Sequence, residues 1–187
     1  MKKIVSLFLL LLSFSVVNAQ AEVPPAPDLA VKAYLLKDFN SGQVLAERNS
    51  TDRVEPASLT KIMTAYLSFK ALKNGQLKLD QVLPISEKAW RVEGSKMFID
   101  TTMTVTVDEL LHGMIIQSGN DASIALAEGI GASEDTFAAM MNKEAARLGM
   151  KNTHYMNATG LPDPQHYTTA YDLSLLATAL IRDFPDQ

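Results

Sequence analysis

The chain contains no cysteine. That excludes disulfide stapling, thiol catalysis and cysteine metal sites, so the core must hold the fold unaided. Histidine occurs only three times, at His112, His154 and His166. No two of them stand at metal-ligand spacing and no H-E-x-x-H occurs, which argues against a zinc peptidase, and no cofactor or metal is expected. There is no Gly-rich phosphate loop, no long basic run and no internal repeat. With a net charge of −4, nothing points to a nucleic-acid partner. No apolar run reaches the roughly 20 residues needed to span a bilayer.

What is present fits a globular chain. The 187 residues suggest one domain, or one and part of another. A hydrophobic content of 47% with 20% charged residues supports a core and does not indicate disorder. Met1-Lys2-Lys3 followed by the apolar Ile4 to Val17, with small residues at Ala19 and Ala21, has the form of a secretory signal. Residues 1–21 are therefore expected to be a signal peptide, the alternative being a membrane anchor. There is no twin arginine, so general secretion is expected. Residues 22–32, with Pro24, Pro25 and Pro27, read as an extended leader.

From residue 33 onward, Ala33 to Leu36 and Gln43 to Ala46 flank the turn residues Asp38 to Gly42 and predict a β-hairpin. Such a hairpin is marginal alone and needs further strands or a covering helix. Leu59, Ile62, Met63, Tyr66 and Leu67 then fall at helical period and predict an amphipathic helix ending at Asn74-Gly75. Residues 76–105 look irregular, with short extended pieces near Val82 to Ile85 and Met103 to Val105. Thr106 to Glu109 fits a capping box, and Leu110, Leu111, Met114 and Ile115 behind it predict a buried face. A further helix is expected from near Asp121, ended by Gly129 and Gly131. Ser133 caps another, with Phe137, Met140, Met141, Ala145 and Leu148 inward and Gly149 as its stop. A polar loop over residues 151–167 leads to a last helix opened by Thr169 to Asp172. Leu173, Leu176, Ala177 and Leu180 are expected on its buried side, and Asp172 is read as a structural cap residue.

Ser58 stands in the first turn of the first predicted helix, with Lys61 three residues on. Residues at that spacing share a face, roughly 5–6 Å apart at Cβ. A neutral Lys61 can then take the Ser58 proton, which builds a nucleophile without histidine. Lysine is ordinarily too basic for this; burial, the positive helix end or a second lysine would each favour its neutral form. Alone, S-x-x-K is short, and a helix cap plus a surface cation also explains it. The second element is Ser118-Gly119-Asn120, where a helix gives way to a loop. Its hydroxyl can relay a proton to a leaving group, and its carboxamide can hold Lys61 or bond a substrate amide.

These pieces together resemble a family. S-x-x-K, an S-D-N-type motif and K-T-G form the signature of penicillin-binding proteins and class A β-lactamases. Pro56-Ala57-Ser58-Leu59-Thr60-Lys61, Gln117 to Ala122, Leu148 to His154 and Gly160-Leu161 resemble the low-molecular-mass penicillin-binding proteins that act as serine-type D-alanyl-D-alanine carboxypeptidases. The glycine between Ser118 and Asn120 is closer to these carboxypeptidases than to class A β-lactamases.

The resemblance implies an α/β (α+β) fold of the β-lactamase/transpeptidase-like type, with a catalytic domain over residues 33–187. It implies Ser58 as the acylated nucleophile, Lys61 as its base, Ser118 as a further catalytic group and Asn120 as a substrate-binding one. The implied partners are peptidoglycan stem peptides ending in D-Ala-D-Ala and β-lactam antibiotics, met in the periplasm or at the outer face of the cytoplasmic membrane. A serine β-lactamase and a non-catalytic penicillin-binding-like fragment are the alternatives.

The resemblance breaks at one place, because Lys-Thr-Gly does not occur. In the family that strand lines the cleft, supplies a second lysine and gives one oxyanion-hole N–H. The expectation is therefore the N-terminal portion of such a carboxypeptidase, with the later strands missing and activity impaired as written. Membrane association would come only through a C-terminal segment not among these residues.

Overall fold

The computed structural model describes residues 25–186. The expected signal peptide at residues 1–21 lies outside the described residues. Residues 25–33 form no helix or strand, and the larger of two compact units begins at Val31.

The predicted hairpin forms. Strand β1 (Tyr34–Lys37) pairs antiparallel with β2 (Val44–Arg48), with an irregularity between Leu36 and Lys37. Asp38 organises the turn by accepting bonds from Ser41 N and Ser41 Oγ, both at 2.7 Å. Among the described residues no third strand joins this sheet. One covering helix, α6 (Ala170–Asp183), lies against β1, while Leu36, Val44 and Leu45 remain exposed.

A 3-10 turn over Ala57–Thr60 leads into α1 (Lys61–Lys73). Ser58 therefore precedes the α-helix and is not in its first turn as expected. The expected single apolar stripe is also corrected. Leu59 is exposed, whereas Met63, Thr64, Ala65, Tyr66, Leu67, Ser68 and Phe69 are all buried in sequence. Such all-round burial marks a core helix rather than a surface one. It is possible because α1 is contacted by four other helices, and because its buried hydroxyls are satisfied locally. Thr64 Oγ1 donates to the Ala158 carbonyl and Ser68 Oγ to the Thr64 carbonyl, both at 2.8 Å. Gly75, at φ +71°, supplies the left-handed residue after the helix.

The irregular stretch is more ordered than its sequence suggests. Strand β3 (Val82–Leu83) pairs with β4 (Val105–Thr106). Between them sits a short helix, α2 (Glu87–Arg91), whose N-cap Ser86 accepts from Ala89 N at 3.0 Å. The cap serine followed by an acidic residue was the available signal for it.

The capping box is present at the start of α3 (Val107–Ile116). Thr106 N donates to Glu109 Oε2 at 2.9 Å, and Glu109 N donates back to Thr106 Oγ1 at 3.3 Å. Leu110, Leu111 and Met114 are buried as expected; Ile115 is exposed. Helix α4 (Asn120–Gly131) runs through Gly129 and ends at Ala132, which takes the left-handed conformation (φ 63°). Gly129 is a packing glycine rather than a terminator, since a Cβ there would lie 2.5 Å from Leu83 Cδ1.

Helix α5 (Glu134–Leu148) starts at Ser133 and stops at Gly149 as expected. Its Phe137, Met141 and Ala145 are fully buried, Met140 and Leu148 partly so. On α6, Leu176 and Ala179 are the buried apolar pair, with Leu173, Ala177 and Leu180 half-buried. Helix α4 packs on α1, α2, α3 and α5, so α1 and α4 form the centre of the core. Each large side chain sequestered there contributes about 1.5–3 kcal/mol. The ends of these two central helices, Lys61 and Asn120, carry the chemistry described next.

Candidate active site

The turn that presents Ser58 is set by a close backbone contact. Ala57 has φ +46°, an uncommon conformation for a residue with a side chain. Gly160 (φ +86°) lies directly on it, and a Cβ added to Gly160 would sit 1.8 Å from the Ala57 carbonyl oxygen. Only glycine fits, both for its backbone angle and for the contact. Gly160→Ala is expected to cost about 2 kcal/mol or more, from strain and overlap together. A thermal melt should show it as a fall of about 4 °C or more. An unchanged melting point would mean that the contact relaxes freely.

Ser58 is exposed, and its hydroxyl forms no hydrogen bond with another described residue. It lines a cavity of about 360 Å³ together with Lys61 and Ser118, against a wall that includes Ile62, Met114 and Ile115. In a 3-10 turn, side chains three apart eclipse, so Ser58 and Lys61 still share a side although the turn is not α-helical. Larger surface hollows lie elsewhere, one around Phe98 and His112 and one around Leu77 and Asp183. Neither holds a nucleophile beside a base.

Lys61 is only 7% exposed. Its Nζ donates to Asn120 Oδ1 at 2.8 Å and to the Thr159 carbonyl at 2.7 Å. Both acceptors are neutral, and among the described residues no carboxylate pairs with it. Burial therefore lowers the Lys61 pKa to about 8. Of the three causes considered from the sequence, burial is the one that acts here. A lysine on the exposed face of a surface helix would stay hydrated and charged. The shift takes the packed centre of the fold.

Asn120 opens α4, and its carboxamide is fixed at both ends. Nδ2 donates to the Glu93 carbonyl at 2.7 Å, which turns Oδ1 toward Lys61. Ser118 precedes it at φ +55°, and its Oγ is buried without a partner among the described residues. A buried hydroxyl without a partner costs about 1–3 kcal/mol. Here it faces the cavity that also holds Ser58 and Lys61. All four predicted site residues thus converge, three on the cavity wall and Asn120 behind Lys61.

Some supporting residues were not singled out from the sequence. Asp121 is fully buried, and its carboxylate accepts from the backbone N–H groups of Met97 (3.0 Å), Phe98 (2.9 Å) and Ile99 (3.2 Å). It pins the segment that runs beside the Ser118 turn. Asn157 Oδ1 accepts from Thr159 N, Thr159 Oγ1 and Gly160 N, which shapes the loop facing Lys61. An Asn two and three residues before such a bend was the readable signal.

Asp172 is structural, as read, but through a longer reach. Its Oδ2 accepts from Asn152 N at 2.8 Å and Thr153 Oγ1 at 2.7 Å, tying α6 to the loop after α5. Of the histidines, His112 is exposed, with Nδ1 2.9 Å from the Asp108 carbonyl, and His154 is bonded to the Gln165 carbonyl. His166 is buried. Among the described residues no group of three His, Cys, Asp or Glu side chains is placed to hold a metal ion.

Comparison with known proteins agrees with this geometry. A family model described as D-alanyl-D-alanine carboxypeptidase matches residues 18–187. Escherichia coli D-alanyl-D-alanine carboxypeptidase DacA is 40% identical over 176 residues, covering 91% of this chain and 44% of that protein. Bacillus subtilis DacF is 44% identical over 151 residues, covering 81% and 39%. Among solved structures, Francisella tularensis D-alanyl-D-alanine carboxypeptidase DacD superposes with a TM-score of 0.84 at 44% identity, over 88% of this chain and 40% of that one. Penicillin binding protein 5 of Haemophilus influenzae gives 0.84 at 40% identity, over 88% and 48%. The chain spans about half the length of the curated relatives it matches. On the family match and on these relatives, the chain belongs to the D-alanyl-D-alanine carboxypeptidase family of peptidases.

Proposed function

We propose that this protein is a serine-type D-Ala-D-Ala carboxypeptidase, exported to act on peptidoglycan stem peptides and acylated by penicillins. The observation that carries the reading is Lys61. It is a buried lysine on two neutral acceptors, sharing a cavity with an unbonded serine. Lowering a lysine pKa from 10.5 to about 8 raises its neutral fraction at pH 7 by roughly 300-fold.

In this reading neutral Lys61 Nζ takes the proton as Ser58 Oγ attacks the carbonyl between the two D-alanines. A C–O bond forms and the carbonyl becomes a tetrahedral oxyanion. Ser118 Oγ then passes its proton to the departing amine and takes the proton held on Lys61 in its place, the C–N bond breaks, terminal D-alanine leaves and Lys61 is neutral again. Water attacks the remaining ester, gives its proton to the same base, and Ser58 is restored. The unpartnered Ser118 hydroxyl supports the relay. Asn120 orients Lys61, and its second carboxamide hydrogen, not needed by Glu93, is available to a substrate carbonyl. A β-lactam amide would acylate Ser58 by the same first step. Among the described residues no helix is long and apolar enough to cross a membrane.

D-Alanine release from a peptide ending in D-Ala-D-Ala, followed against pH, tests this. The base must be deprotonated to act, so the rate should climb by about tenfold per pH unit in acid and level off above pH about 8. The same peptide ending in L-Ala-L-Ala should release nothing. Equal release from both peptides, or a rate that falls on passing from pH 6 to 8, would contradict the proposal.

A further inference from the structure

His166 is buried beside this site, and the proposed chemistry makes no use of it. Its two ring nitrogens have different partners. Nδ1 lies 3.1 Å from the backbone N of Met156, and Nε2 lies 2.8 Å from Thr60 Oγ1. A backbone N–H can only donate, so Nδ1 must be bare and the ring proton sits on Nε2, donated to Thr60. A charged imidazole carries N–H at both positions and would turn one of them against the Met156 N–H.

The placement matters because Thr60 stands between Ser58 and Lys61, while His166 ends the loop that supplies the Thr159 carbonyl to Lys61 Nζ. The outer end of this loop is anchored independently by the backbone pairs His154–Tyr167 and Val54–Thr168. The Thr60–His166 bond is thus one of few direct ties between loop and nucleophile turn, with the Lys61–Thr159 and Thr64–Ala158 bonds beside it.

We propose that His166 is a positioning residue: its neutral ring latches the 157–166 loop onto the Ser58–Lys61 turn, and protonation, which leaves Nε2–H on Thr60 but sets an Nδ1–H against the Met156 N–H, displaces the ring and so loosens that latch. The proposal rests on the acyl-transfer reading above. The titratable groups around the ring are Asp163 and His154 on its own segment, Tyr155 edge-on at 5.7 Å between ring centres, and Lys61 on the residue after Thr60. Asp163 favours the charged ring and His154 opposes it. Burial outweighs both and holds the His166 pKa below its ordinary 6.5. The latch is therefore closed at neutral pH and opens in acid, below the range in which Lys61 itself titrates.

The sign gives a distinct signature. In the wild-type complete gene product, acylation by a penicillin should fall about tenfold per pH unit below pH 8 from Lys61 alone, then about a hundredfold per unit once His166 also protonates. His166→Gln keeps a donor for Thr60 and cannot titrate. It should acylate within about threefold of wild type at pH 8, as one conserved hydrogen bond allows, and lose the second, steeper limb. His166→Ala should be slower at every pH. Heteronuclear NMR supplies a readout independent of activity. The backbone amides of Thr60, Lys61 and Met156 should shift with the midpoint of the His166 ring in wild type and stay still in His166→Gln. A glutamine variant that keeps the steep limb overturns the proposal, as do amides of Thr60 and Lys61 that ignore the ring titration. If wild type acylates at no pH, the carboxypeptidase reading fails, and the amide titration still decides whether the latch exists.

Discussion

Ser58→Ala is expected to remove penicillin acylation and D-alanine release together, by on the order of 10⁶-fold, the loss seen when a serine peptidase loses its nucleophile. The variant should fold normally. Ser58 is exposed and its hydroxyl bonds to no described residue, so alanine leaves no buried group unpaired. The turn that carries it depends on Ala57 and Gly160, not on the serine side chain. Normal melting with no adduct is therefore the expected pair of results. Labelling that survives in Ser58→Ala would place the nucleophile elsewhere.

Lys61→Arg is expected to cost more than about 100-fold in acylation, the lower end of general-base effects. Arginine stays protonated at any working pH and cannot accept the Ser58 proton. It does retain donors for Asn120 Oδ1 and the Thr159 carbonyl, so the comparison separates a base from a structural cation. The pH profile adds a second check, because the rise through pH about 8 should vanish with the lysine. Near-normal acylation in a folded Lys61→Arg protein would reject the role. Since arginine is larger than the space Lys61 fills, a thermal melt must accompany the rate.

The parts of this structure that were legible in the sequence are those fixed by neighbours along the chain. The Thr106–Glu109 box, the Ser133 cap, the Gly149 stop and the Asp38 to Gly42 turn each need only a few consecutive residues, and each is where the sequence placed it. The S-x-x-K and S-x-N pairs were visible for the same reason.

What escaped was set by distance along the chain. Leu59 and Ile115 match a helical stripe, yet they face outward, because the faces that are covered depend on where α3 to α6 pack. The contact between Gly160 and Ala57 joins two backbones and has no local pattern. Lys61 owes its lowered pKa to burial and is held by a main-chain carbonyl 98 residues away, an acceptor that any residue type can provide. His166 and Thr60 stand 106 residues apart. Their pairing could not be read from either residue's surroundings in the sequence.

The most direct test of the central claim is to locate the covalent bond. The complete gene product is treated with a penicillin at pH 8, digested, and mapped by mass spectrometry. The account predicts one acyl group per chain, on the peptide that contains Ser58 and on Ser58 itself. An adduct on Ser118 or any other residue, or a protein that hydrolyses a D-Ala-D-Ala peptide without ever carrying an acyl group, would contradict it.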